Sequence, residues 1–197
     1  MLAARMHGYK QPLVLEEVKI PEISSDQVLV RVGGAGMCRS DVQLIDGYFQ
    51  EAIKPKFPIT PGHEIAGLVE AVGDRVPKTA HLAVGDQVVV SAGWGDGTCR
   101  QCRAANEQIC KHVAGEFTYH GSFWANYSDL EEVLALAQQG KIRHSIKRIR
   151  FEDINENLEM LRRGDIIGRA VIVFDVDDRD STNKLTVKSE IDHNEDR

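Results

Sequence analysis

The chain has 197 residues, 42% hydrophobic and 27% charged, which suits one ordinary globular domain or two small ones with a buried core. Its formal charge of −6, from 24 basic and 30 acidic residues, leaves no global basic field to hold nucleic acid or an anionic membrane. No uncharged apolar run approaches the ~18 residues a membrane helix needs, and the start, Met1-Leu2-Ala3-Ala4-Arg5-Met6-His7, meets charge before any apolar stretch forms, so no signal peptide is expected.

The first hundred residues read as β structure. Leu13 to Val18 and Gln27 to Val32 are short β-rich runs separated by Pro, Ser and Asp. Gly33-Gly34-Ala35-Gly36 then reads as a glycine-rich turn. Ile65 to Val72 is a further strand closed by Gly73-Asp74, and Gln87 to Ser91 follows the turn signal Gly85-Asp86. This spacing predicts a compact β barrel or sandwich. The last third changes character. Ser128 and Glu131 have the form of a capping box, Leu130, Val133, Leu134 and Ala137 follow at helical spacing, and Gly140 sits where a helix would end. A second amphipathic helix is predicted from about Glu152 to Arg163, with Ile154, Leu158 and Leu161 on one face and Gly164 beyond its end. Ala170 to Phe174 has the composition of a buried strand. From Asp175 the chain is polar, with eight acidic and four basic residues. It reads as a solvated tail, or as one holding a short edge strand at Leu185-Thr186-Val187-Lys188.

Three of the four cysteines lie within twelve positions. Asp96, Cys99, Cys102 and Cys110, spaced D-x2-C-x2-C-x7-C, offer three soft thiolates and a carboxylate, the donor set and short loops that a structural zinc takes. A redox C-x-x-C pair or plain free thiols are the alternatives. A redox pair normally opens a helix in a βαβ setting, whereas this one sits in a Gly-rich loop. Clustered thiols of this kind also predict a reducing, cytoplasmic location. Cys38 and, 25 residues later, His63-Glu64 could supply three points of an open, catalytic zinc site. Spacing alone favours reading Cys38 as a small buried hydrophobe and His63 as a satisfied loop histidine.

Gly62-His63-Glu64 with Gly67 and Val72-Gly73, the Cys38-Arg39-Ser40-Asp41 segment and the Cys99 to Cys110 lobe together resemble the zinc-dependent alcohol dehydrogenases of the medium-chain dehydrogenase/reductase family. The resemblance implies a mainly β fold with C-terminal helices (α+β), the GroES-like catalytic domain of that family, with the Rossmann cofactor domain absent. It implies four regions: 1–112 as the first segment of the catalytic domain, 113–127 as a junction with a remnant cofactor-domain strand, 128–174 as the helices and strand completing the domain, and 175–197 as an acidic, flexible tail. Cys38, His63 and Glu64 resemble the catalytic zinc ligands, Ser40 the hydroxyl that takes the substrate proton, and Asp41 the residue that orients the histidine. Arg39 corresponds to a residue facing the cofactor phosphates. Trp94 lines the alcohol pocket or simply packs. Gln43 stands where the family often has a histidine proton relay, and Asp96 replaces the first cysteine of the structural lobe.

The family's dinucleotide fingerprint, G-x-G-x-x-G opening a helix after a strand, does not occur here, and the family's fourth catalytic ligand falls in the missing stretch. The expectation is zinc at one structural and one catalytic site, no NAD(P) site, and binding of a small alcohol or carbonyl ligand without hydride transfer. The segment 115–123 resembles the strand that pairs across the family's dimer axis, so a homo-oligomer is expected. Two other readings stay open: a standalone zinc hydrolase with Glu64 as base, and an assembly module that recruits a separate dinucleotide-binding chain.

Overall fold

A computed structural model describes residues 1–51, 54–91, 95–110 and 127–174, Tyr127 by its backbone alone. In it the β-rich runs form two sheets. β1 (Leu2–Arg5) and β2 (Val14–Glu17) pair antiparallel as a small ribbon. Met6, just beyond β1, exchanges backbone hydrogen bonds of 2.8 and 3.0 Å with Ile59 and so ties the ribbon to the loop that leads into Gly62-His63. The second sheet holds β3 (Val28–Gly36), β4 (Glu64–Val72), β5 (Gln87–Val90), β6 (Ile146–Ile149) and β7 (Arg169–Val173). Its spatial order is β5-β4-β3-β7-β6, antiparallel except for the parallel β6–β7 pair. The mainly β architecture with later helices is the fold class expected from the sequence.

The glycine-rich stretch 33–36 is strand, not turn. β3 continues through it, paired with β4 on one side and β7 on the other. The register slips between Val32 and Gly34. The extra residue this leaves, Gly33, turns its carbonyl to accept the Phe174 N–H at 2.8 Å. Glycine suits the segment because two strands close on it: a Cβ at Gly36 would run into the Glu64 side chain.

α1 (Arg39–Ile45) follows β3 directly, and α4 (Ile154–Arg163) precedes β7. The α4 boundaries match the predicted amphipathic segment, with Ile154 and Leu158 buried and Gly164 at φ +81° closing the helix. α3 (Tyr127–Gln138) begins ahead of Ser128, which lies inside the helix rather than at its cap, while Gly140 ends it at φ +70° as expected. Val133 and Leu134, two of the apolar residues at helical spacing, are 46% and 37% exposed. The predicted strand 115–123, Trp94 and the tail 175–197 lie outside the described residues.

One core joins the two ends of the chain. Met6, Leu13, Met37, Val42 and Ile45 pack with Ile149, Phe151, Ile154, Leu158 and Ile172. Asn155 secures the contact through paired 2.9 Å hydrogen bonds to the N–H and carbonyl of Leu13. Met6 is fully buried, whereas Ile167 is 87% exposed. Met6→Ala is therefore expected to cost about 2–5 kcal/mol and Ile167→Ala no more than about 0.5 kcal/mol. Urea unfolding of both variants at fixed metal content checks this, and comparable shifts for the two would contradict the assigned core.

Candidate metal centres

Strand register assembles the first centre. Gly36 on β3 stands opposite Glu64 on β4 and opposite Val171 on β7. The residues just past those pairs therefore gather at one end of the sheet: Cys38 after β3, His63 before β4 and Arg169 at the start of β7. Cys38, His63 and Glu64 each offer one ligand atom, and the three atoms lie within 4.8 Å of one another.

Asp41 holds this group in order. It is 8% exposed, and both carboxylate oxygens are engaged. Oδ2 accepts the Cys38 backbone N–H at 2.9 Å, closing the start of α1, and Oδ1 lies 3.2 Å from His63 Nδ1. With Nδ1 facing the carboxylate, the ring presents Nε2 to the site, where Ser40 Oγ lies 3.2 Å away. Asp41, partly opposed by burial, raises His63 from an ordinary 6.5 to about 9. Burial pushes the Cys38 thiol up, but hydrogen bonding with Ser40, His63 and Arg169 outweighs it and leaves the thiol below its ordinary value.

Arg169 is the member that sequence reasoning missed. Its Nη1 lies 3.3 Å from Glu64 Oε1 and donates to the Met37 carbonyl at 3.2 Å. In the sequence it is one cation ahead of a buried strand, and the register of β7 alone brings it to Cys38. Arg39, in contrast, turns away from this group. Its guanidinium donates to the carbonyls of Leu161 and Arg162 at 3.2 and 2.8 Å, satisfying the C-terminal end of α4.

The second centre is a loop lobe. Cys99, Cys102 and Cys110 are 6%, 9% and 6% exposed and gather around α2 (Arg100–Arg103). Cys99 Sγ lies 3.5 Å from Cys102 Sγ and 3.8 Å from Cys110 Sγ. A tetrahedral zinc with ~2.3 Å sulfur bonds sets ligand sulfurs ~3.8 Å apart, so these thiols fit the ion. Asp96 completes a set of four ligand atoms within 4.8 Å. Its Oδ1 accepts the N–H groups of Thr98 and Cys99 at 2.8 and 3.1 Å, which fixes the loop around Gly97, a turn residue at φ +69°. Burial first, then the neighbouring Cys110 and Cys99, push the Cys102 thiol up to about 12. A bound dication reverses that preference, since coordination deprotonates thiols.

The alcohol dehydrogenase GroES-like domain family matches residues 24–138. A D-arabinose 1-dehydrogenase (NADP(+)) of Saccharolobus solfataricus is 43% identical over 122 residues, covering 60% of this chain and 33% of the relative. An NAD-dependent alcohol dehydrogenase of the same organism is 40% identical over 115 residues, covering 56% and 32%. The chain spans about a third of the length of these curated relatives. Among solved structures, the alcohol dehydrogenase of Aeropyrum pernix superposes with a TM-score of 0.76 at 19% identity, over 88% of this chain and 100% of that one. A cobalt- and zinc-bound alcohol dehydrogenase of Pyrobaculum aerophilum gives 0.73 at 15% identity, over 88% and 99%. At these identities the likeness is one of fold.

Two outcomes follow from the position of Asp41. Asp41→Asn is expected to weaken metal binding at the Cys38–His63–Glu64 centre by about 10–100-fold while leaving the cysteine lobe unchanged, as competition titration with a chromophoric chelator would read; equal loss at both centres would contradict it. In metal-free protein the Asp41–His63 pair stabilises fully below pH 6.5 and fades as pH rises to about 9. Urea midpoints across that window should fall for the unmodified chain and stay flatter for Asp41→Asn.

Proposed function

The chain belongs to the alcohol dehydrogenase GroES-like domain family, and on that premise we propose that it is the zinc-holding catalytic module of an alcohol dehydrogenase. In this reading it binds metal and a small alcohol or carbonyl ligand, and it does not transfer hydride by itself. Residues 1–112 and 128–174 make up the catalytic domain, 113–127 the junction where a cofactor domain would continue, and 175–197 a tail. The observation that carries the proposal is the Cys38–His63–Glu64 cluster with its histidine tautomer fixed by Asp41.

Zinc bound at that cluster would supply Lewis-acid polarisation of an alcohol or carbonyl oxygen. The chain's own residues supply the rest. Cys38, with its thiol held below the ordinary value, and the Nε2 of His63 are the soft and borderline donors that such an ion takes. Ser40 Oγ, 3.2 Å from Nε2, would exchange a proton with a ligand hydroxyl beside the metal. Arg169 holds Glu64 by one oxygen and keeps a positive charge at the edge of the site.

A hydrolase would use Glu64 as a free base, and its Oε1 lies 3.3 Å from the Arg169 guanidinium. That pairing favours the dehydrogenase module over the hydrolase. Asp96, Cys99, Cys102 and Cys110 would hold a second zinc with a structural role, fixing the loop lobe as closed sites do. Hydride transfer needs a nicotinamide held against the substrate carbon, and the sequence contains no G-x-G-x-x-G fingerprint to bind one.

The zinc-loaded chain is expected to give no NADH or NADPH from primary or secondary alcohols and no saturable heat of binding with either dinucleotide. Turnover that scales with chain concentration and is lost in His63→Ala would overturn the claim that the module is inactive alone.

A further inference from the structure

The segment 141–150, Lys-Ile-Arg-His-Ser-Ile-Lys-Arg-Ile-Arg, carries five formal positive charges and no acidic residue. All of it is exposed except Ile142 and Ile149. Arg150 pairs with Asp153 at 2.8 Å, and the Lys147 ammonium rests 3.3 Å from Met160 Sδ. Among the described residues no acidic side chain pairs with Lys141, Arg143 or Arg148. The same segment contains β6, the outermost strand of its sheet. One edge of β6 pairs with β7, while the other has no strand beside it among the described residues, and Ile146 is 60% exposed. A cationic strand with an open edge is a surface that an acidic, extended segment fits.

An acidic segment follows in the same chain. β7 runs parallel to β6 with Ile172 beside Ile149, and the Phe174 ring packs against Phe151 at a centroid distance of 5.6 Å. The last described residue, Phe174, therefore lies beside Phe151, the residue that follows Arg150. Asp175, Asp177, Asp178 and Asp180 come first, and residues 175–197 hold eight acidic and four basic side chains. Ten residues, 175–184, reach at most ~33–36 Å, well beyond the ~13 Å length of a four-residue strand. That reach brings Leu185-Thr186-Val187-Lys188, the tail's β-rich run, to the open edge.

We propose that residues 175–197 dock along the outer edge of β6, with their leading aspartates against the cations of 141–150. Tethering favours this occupant over a second molecule: a short connection gives an effective concentration on the order of millimolar, far above micromolar protein in solution. The docked segment neutralises the cationic run and covers an edge that would otherwise template association between chains. The proposal is independent of either metal centre.

Zero-length carbodiimide coupling of the full chain tests it. Unlabelled and 15N-labelled chains are mixed in equal amounts at low salt, and the linked peptides are mapped by mass spectrometry. The expected result is amide links from Lys141 or Lys147 to Asp175–Asp180 within chains of one isotope. Those links should fall severalfold in 1 M salt, where the screening length is about 3 Å. They should fall likewise in the Arg143→Glu/Arg148→Glu variant. Links of mixed isotope would name a second copy as the occupant and overturn the proposal, and so would the absence of links between the two segments. If the variant does not fold, the salt series on the unmodified chain decides.

Discussion

The register that pairs β3 with β4 and β7 is the constraint on which the candidate site at Cys38, His63 and Glu64 depends. Gly36 meets Glu64 on one side and Val171 on the other, so Cys38, His63, Glu64 and Arg169 converge although 131 positions separate the first and last of them. A slip of one residue in either pairing would send alternate side chains to the opposite face and disperse the group. Glycine at position 36 is part of the same constraint, since a side chain there would occupy the space of Glu64. The β7 strand comes from the far end of the sequence, so the later segment contributes directly to the centre nucleated by the earlier one.

Electrostatics refine what the register brings together. Asp41 is nearly buried and joins two tasks, ending the α1 backbone and setting the His63 ring. A buried carboxylate is costly unless its oxygens are engaged, and here the Cys38 N–H at the helix start and the His63 ring both engage it. The cysteine lobe solves a different problem. Burial, with Cys110 and Cys99 beside it, pushes the Cys102 thiol up to about 12, in a lobe whose sulfurs lie at the spacing a tetrahedral ion needs. A dication supplies the charge that makes thiolates favourable there. One candidate centre gathers residues at the ends of three strands, and the other lies within a single loop lobe.

Much of this could be read from the sequence. The four ligands of the lobe sit within fifteen positions, where short loops force proximity, and Cys38 with His63-Glu64 was recognisable through a motif. The amphipathic α4 and its closing Gly164 followed from helical period and glycine chemistry. The rest depended on long-range pairing, which local pattern does not encode. Gly33 to Gly36 has the composition of a turn and becomes strand because two neighbours and a bulge require small residues. Arg169 carries no local signal at all. The apolar positions of α3 have helical period, yet the described structure leaves Val133 and Leu134 exposed, since periodicity says which face is apolar and not what covers it.

The central claim is that one chain preforms two distinct metal centres. Native mass spectrometry of the purified, zinc-equilibrated chain, with Cys102→Ser and His63→Ala variants measured beside it, tests this most directly. The account predicts two zinc ions per unmodified chain and one in each variant, the lost ion differing between them. A single zinc in the unmodified chain that survives His63→Ala would contradict it.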